Sequence, residues 1–205
     1  LALFPFEPAI YEQSGVKVTY VGHPLADELP LKPSKTEARE SLKLKNAKLV
    51  ITLLPGSRQS EVKQLARTLV ETAKIIYHEQ PEVNFLVPLI TRETRAIFEQ
   101  ALYAVHHENP EINLPLQILF GHAHMAIEAS DIVIVASGTA TLEAALIKRP
   151  MVITYRMPWL SWQILKRMLY LPYVGLPNVL AKRFVVPELL QKDATPEKLA
   201  EATLK

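Results

Sequence analysis

Apolar positions along the chain fall into two kinds of segment. Short unbroken runs rich in Val, Ile and Leu recur near 49–54, 83–89, 116–119, 132–136 and 151–155. Runs of that length with no alternation read as strands buried on both faces. Longer stretches of mixed apolar and polar residues lie between and after them, and helices are expected near 60–79, 92–107, 122–129, 140–147, 160–169 and 196–204. Thr195 caps the last helix, with Pro196 at its first position. Ser34 and Glu37 have the spacing of a capping box, which starts a further helix there. Regular alternation of strand and helix predicts an α/β fold, a Rossmann-like parallel sheet with helices on both faces. Before residue 31 the pattern differs. A strand at 1–4, a helix near 8–14 that stops at Gly15 and a strand at 16–21 lead into Gly22, His23 and Pro24, and Pro30 and Pro33 punctuate a linker.

Composition narrows the class. The chain has 205 residues, 49% hydrophobic and 21% charged, as a globular core requires. A net charge of +2 with scattered basic residues gives no ground for a nucleic-acid partner. The absence of cysteine excludes disulfides, thiolate metal sites and cysteine nucleophiles, and fits a cytosolic setting. No apolar run is long enough to span a bilayer, and no signal peptide is evident. The chain begins at Leu1 in what reads as the middle of a strand, so we expect a fragment whose N-terminal part is absent. Residues 1–30 would be the tail of another unit plus a linker, and 31–205 the main domain.

Two strand–turn–helix junctions carry candidate chemistry. The run ending at Ala136 passes through Ser137, Gly138 and Thr139 into a helix beginning with Ala140, Thr141, Leu142 and Glu143. Such a turn exposes unpaired backbone N–H groups, and the helix dipole adds partial positive charge, so the site suits a phosphate. Ser137, Thr139 and Thr141 add hydroxyl donors, and Glu143 could accept from paired sugar hydroxyls. The run ending at Leu54 passes through Pro55, Gly56, Ser57 and Arg58, with a helix starting at Ser60, Glu61 and Val62. A guanidinium at Arg58 could span two phosphate oxygens. On one parallel sheet both turns fall at the carboxyl edge, where open α/β sheets bind ligands. Junctions of this kind also occur in α/β proteins that bind nothing, and Arg58 could be an ordinary surface residue.

Absent motifs sharpen the choice. Neither a G-x-G-x-x-G nor a P-loop occurs. Asp appears only at Asp27, Asp131 and Asp193, so there is no Asp-x-Asp to hold a divalent ion on a diphosphate. No metal and no cofactor are therefore expected. His106 and His107 read as solvated. His122 and His124 could bind a metal only with ligands from elsewhere. His23, at the junction between units, is a candidate cleft residue, or else a loop histidine that packs the linker. Trp159 and Trp162 stand on one predicted helix with Lys166 and Arg167. That aromatic, basic pattern suits a membrane interface, while an apolar stripe buried against the sheet or the missing domain is the simpler account.

Taken in order, several runs resemble the lipid-A-disaccharide synthases, a family of bacterial glycosyltransferases. They are Phe4-Pro-Phe-Glu-Pro-Ala-Ile-Tyr11, Val21-Gly-His-Pro-Leu-Ala-Asp27, Leu54-Pro-Gly-Ser-Arg58 with Ser60-Glu-Val62, and Ala136-Ser-Gly-Thr-Ala-Thr-Leu-Glu143. Lys148-Arg-Pro-Met-Val152, Tyr155-Arg-Met157, Tyr173 to Asn178 and Val186-Pro-Glu-Leu-Leu-Gln191 follow. The resemblance covers essentially the whole chain. It implies one half of a two-domain GT-B-type glycosyltransferase, the C-terminal UDP-binding half plus the last pieces of an acceptor domain that would carry the catalytic base. It implies inverting transfer of diacylglucosamine from UDP-2,3-diacylglucosamine to 2,3-diacylglucosamine 1-phosphate, with peripheral contact on the cytoplasmic face of the inner membrane. Gly56, Ser57 and Arg58 would meet the pyrophosphate with Ser137, Gly138, Thr139, Ala140 and Thr141. Glu143 would grip the ribose, Asn178 would lie near the donor, and Tyr155 and Arg156 would border the cleft with His23. Two positions depart from the pattern: Lys182 and Arg183 follow Ala181 where Gly is expected, and Gly121 to His124 replaces a more usual polar run. A UDP-sugar 2-epimerase of the same architecture and a non-catalytic UDP-binding module are the alternatives. The sequence leaves the oligomeric state open, a homo-oligomer included.

Overall fold

The computed structural model describes residues 1–168 and 172–205, with the side chains of 164–166 and 168 also outside the description. Six parallel strands form one sheet: β1 (Leu49–Leu54), β2 (Val83–Leu89), β3 (Leu116–Phe120), β4 (Ile132–Ala136), β5 (Met151–Tyr155) and β6 (Glu188–Leu190). Their order is β3-β2-β1-β4-β5-β6. The helices are α1 (Glu7–Gln13), α2 (Leu25–Glu28), α3 (Lys35–Ser41), α4 (Gln59–Glu79), α5 (Arg92–Glu108), α6 (Ala123–Ala129), α7 (Ala140–Leu146), α8 (Trp159–Met168), α9 (Leu176–Ala181) and α10 (Pro196–Leu204).

The unbroken apolar runs of β1, β2, β4 and β5 have their physical cause here, because both faces of the sheet are covered. Ile51, Leu53, Phe85, Val87 and Ile134 pack with Leu65, Leu69 and Ala73 of α4 and Leu199 of α10. Their neighbours along the strands turn the other way. Val50 and Leu86 meet Ala126 and Ala129 of α6, and Val133 and Val135 meet Ala144 of α7. Sheet order reverses between β1 and β4, whose pairing runs from Ile51 opposite Ile132 to Leu54 opposite Val135. That reversal opens a crevice beyond the carboxyl ends of these two strands, the place where such sheets bind ligands.

The N-terminal segment departs from expectation. No strand forms at 1–4 or 16–21; one parallel bridge joins Ala2 to Tyr20. Leu1, Leu3, Val16 and Val21 are exposed, so these residues have no apolar surface to pair against. The capping box at Ser34 is half formed. The Ser34 hydroxyl accepts from the Glu37 N–H at 3.4 Å, but the Ser34 N–H donates to Glu128 instead of Glu37.

Candidate functional site at the sheet reversal

A cleft of about 360 Å3 lies at the reversal, lined by Gly56, Ser57, Arg58 and Glu61 on one side and by Ser137, Gly138, Thr139, Ala140 and Glu143 on the other. Pro88, Ile90 and Ala123 close its third wall. The turns expected from the sequence are therefore brought together, one from each of two adjacent strands. They are not equivalent.

At the α4 turn the anion position is taken. Glu61 reaches back from the first turn, and its Oε2 accepts from the N–H groups of Ser57 at 3.1 Å and Arg58 at 3.2 Å. Its Oε1 accepts from Arg58 Nη1 at 3.2 Å. The Glu61 side chain is 12% exposed and that of Arg58 78%. The sequence places a phosphate contact at this turn through the Arg58 guanidinium; its backbone N–H groups are engaged, because a carboxylate of the protein already caps this helix. Gly56 has φ 110°, and a Cβ there would come within 2.5 Å of Glu61 Oε2, so both backbone and space require glycine.

At the α7 turn the donors stand open. Gly138 has φ 144°, a conformation that favours glycine. Among the described residues the N–H groups of Gly138, Thr139 and Ala140 have no hydrogen-bond partner. Ser137 is held from behind, its N–H donating to the Thr154 carbonyl at 3.0 Å and its hydroxyl to the Val174 carbonyl at 3.4 Å. Thr139 is exposed at the cleft. Thr141 is corrected: it is fully buried, and its hydroxyl donates to the Gly138 carbonyl at 2.7 Å. It shapes the turn and offers nothing to a ligand. Glu143 sits one turn into α7, with Oε2 3.1 Å from His124 Nε2.

Other expected residues lie elsewhere. Asn178 is 0% exposed and every polar atom is engaged. Its Nδ2 donates to the Val186 carbonyl at 2.9 Å and Glu188 Oε1 at 2.7 Å, and its Oδ1 accepts from the N–H groups of Val185 and Val186 at 2.7 and 3.0 Å. That exhausts a carboxamide, so Asn178 is a clamp on the segment entering β6, not a donor contact. Lys182, where glycine was expected, does adopt a left-handed conformation, φ 54°, and the Tyr173 hydroxyl donates to its carbonyl at 2.9 Å. Arg156 turns beneath the sheet edge, donating to Thr68 Oγ1 at 3.1 Å and the Gln191 carbonyl at 3.3 Å, and neither it nor Tyr155 lines the cleft. His23 packs locally. Its Nδ1 accepts from the Leu25 N–H at 3.3 Å and its ring lies 5.5 Å from Phe4. Trp159 and Leu160 are 72% and 66% exposed, so that end of α8 is not buried against the sheet. Trp162 lines a second hollow, of about 620 Å3, with Met157, Trp159 and Leu190. Arg167 is exposed, and the Lys166 side chain lies outside the described residues.

Two ionisable residues, Glu61 in the cleft wall and His124 against Glu143, had no site role assigned from sequence. Glu61 had a signal, an acid three residues after the helix cap, which is reach-back spacing. His124 had none, because its contact with Glu143 is made between two helices.

A family model described as lipid-A-disaccharide synthetase matches residues 1–205. The chain belongs to the lipid-A-disaccharide synthetase family. It is 70% identical over 204 residues to the lipid-A-disaccharide synthase of Methylobacillus flagellatus, covering 100% of this chain and 53% of that protein. The chain thus spans about half the length of the curated relatives it matches. Among solved structures, it is similar to UDP-GlcNAc 2-epimerase of Methanocaldococcus jannaschii, with a TM-score of 0.59 and 14% identity over 98% of this chain and 53% of that one. It is also similar to the C-terminal domain of a glycosyl transferase group 1 family protein, LpcC, from Francisella tularensis, with a TM-score of 0.55 and 15% identity over 83% of this chain and 82% of that one. At such identities the likeness is one of fold, the Rossmann-like half of a GT-B-type architecture. Membership of the lipid-A-disaccharide synthetase family separates this chain from the epimerase that shares it.

Proposed function

We propose that this chain is the donor-binding part of an inverting, metal-independent glycosyltransferase. The full enzyme joins UDP-2,3-diacylglucosamine to 2,3-diacylglucosamine 1-phosphate, giving lipid A disaccharide 1-phosphate and UDP. Residues 31–205 form the UDP domain, and 1–30 are the end of the acceptor domain plus a linker. What carries the proposal is the open α7 turn, three unpartnered N–H groups opposite Arg58 and beside Glu143, in a chain of this family.

The acceptor hydroxyl gives its proton to a base outside this cleft and attacks the anomeric carbon from the face opposite UDP. The bond from that carbon to the phosphate oxygen breaks, and UDP leaves with the electron pair. The N–H groups of Gly138, Thr139 and Ala140 receive the diphosphate, helped by the end of the α7 dipole. Arg58, exposed at the cleft and paired with Glu61, meets the charge that grows on the leaving oxygen. Glu143 accepts from the ribose hydroxyls. Trp159, Leu160 and Arg167 on α8 meet the surface of the membrane that supplies the acylated substrates. No described helix is long and apolar enough to cross it.

The full-length protein incubated with both sugar substrates tests this by mass spectrometry. The expected product is a tetraacyl disaccharide 1-phosphate with one equivalent of UDP. UDP binding without any disaccharide would favour a non-catalytic binding module, and release of a free 2-epimeric sugar would refute transfer.

A further inference from the structure

Donor binding leaves one close approach beside the cleft without a purpose. His124 Nε2 stands 3.1 Å from Glu143 Oε2, with side-chain exposures of 49% and 19%. Among the described residues Glu143 has no other polar side-chain partner. The backbone goes to some length to bring His124 there. Gly121 and His122 are both left-handed, with φ 72° and 58°, and turn the chain from β3 into α6 within two residues. Histidine is among the non-glycine residues that adopt that conformation more readily. The Gly121 N–H donates to the Leu89 carbonyl at 2.7 Å, which anchors the turn to the end of β2. The first turn of α6 is thereby held against α7, with Ala123 in the cleft wall.

We propose that His124 is a positioning residue of the donor site, which holds the Glu143 carboxylate turned to accept from both ribose hydroxyls. This rests on the assignment of Glu143 to the ribose. A vicinal diol is best met by a carboxylate whose plane is fixed, one oxygen to each hydroxyl. A glutamate on a helix has free torsions that must be frozen on binding, at an entropic cost. An imidazole against one oxygen freezes them beforehand and leaves lone pairs on both oxygens for the sugar.

Calorimetry on the full-length protein tests this, with UDP, 2′-deoxy-UDP and inorganic pyrophosphate as probes. The wild type is expected to prefer UDP to 2′-deoxy-UDP by about tenfold, the worth of one charge-assisted hydrogen bond. His124→Ala should cut that preference to about twofold, with pyrophosphate affinity unchanged. His124→Gln, which keeps an N–H donor, should restore most of it. Retention of the full preference in His124→Ala, while Glu143→Ala loses it, overturns the role of His124 alone. Equal weakening of all three probes in His124→Ala also overturns it, since that is damage to the fold. A wild type indifferent to the 2′-hydroxyl overturns the ribose assignment and the inference with it.

Discussion

Arg58 and Glu61 share the turn after β1, and their pairing limits how Arg58 works. The guanidinium is mostly exposed, pairs with Glu61 through Nη1 and lines the cleft, where it can present a fork of donors. Lysine would keep the charge and lose the fork. Arg58→Lys is expected to remove about 2–4 kcal/mol of transition-state stabilisation, seen as a fall in both kcat and donor affinity in the full-length enzyme. Kinetics like wild type would take Arg58 out of the site. Asn178 belongs to the opposite class. Asn178→Ala removes four part-buried hydrogen bonds, those from the Val185 and Val186 N–H groups and those to the Val186 carbonyl and Glu188 Oε1, and should destabilise by about 3 kcal/mol. In a domain of this size that is a melting midpoint lower by roughly 6 °C or more. A midpoint unmoved in thermal denaturation would contradict the clamp. The places of Gly56, Arg58 and Gly138 at the cleft were legible in the sequence because a small-residue turn between an apolar run and a helix falls at the carboxyl edge of a parallel sheet. The directions of Thr141 and Asn178 were not, since a polar residue near a site reads the same whether it faces ligand or backbone.

The elements that position the cleft are pinned by a second device at the far end of β1. Asp131, just before β4, accepts from Arg39 Nη2 at 2.6 Å and from the Val50 N–H at 2.7 Å, and pairs with Lys35. It ties α3 to the two strands whose other ends form the site. Burial alone would raise its pKa, but the Lys35 contact, the Val50 N–H and Arg39 outweigh it and hold the carboxyl below its ordinary 3.8. A depressed folded pKa gives stability that is present above the unfolded value and lost as pH falls through the folded one. Denaturant midpoints should therefore drop as pH falls below 3.8, and Asp131→Asn should flatten that slope; an identical slope in the variant would exclude Asp131 as its source. The strands of the sheet centre were readable because burial on both faces leaves unbroken apolar runs. β6 was not, having three residues of which none is fully buried. α9 was not read from the sequence either, being six residues long with Gly175 as its cap and Pro177 in its first turn. The strands expected at 1–4 and 16–21 failed for the converse reason, apolar residues without a sheet to join.

At the scale of the molecule, the sheet order brings two turns distant in sequence to one edge, and the rest of the account depends on that. On the proposed metal-independent mechanism the diphosphate is met by N–H groups and a guanidinium, so EDTA should leave turnover of the full-length enzyme unchanged. Loss of activity restored by Mg2+ would overturn the metal-free mechanism. Exposed Trp159 and Leu160 should make binding to anionic lipid vesicles sensitive to substitution of both by Ser, without effect on UDP affinity; flotation equal to wild type would remove α8 from the membrane contact. The central claim, that UDP binds across the reversal between β1 and β4 with its phosphates on the α7 turn, is tested most directly by hydrogen–deuterium exchange with and without UDP. The expected result is strong protection at Gly138, Thr139 and Ala140, whose amides are open, and little change at Ser57 and Arg58, whose amides Glu61 already holds. Unchanged exchange at residues 138–140 under saturating UDP, with protection beside Trp162 instead, would contradict it.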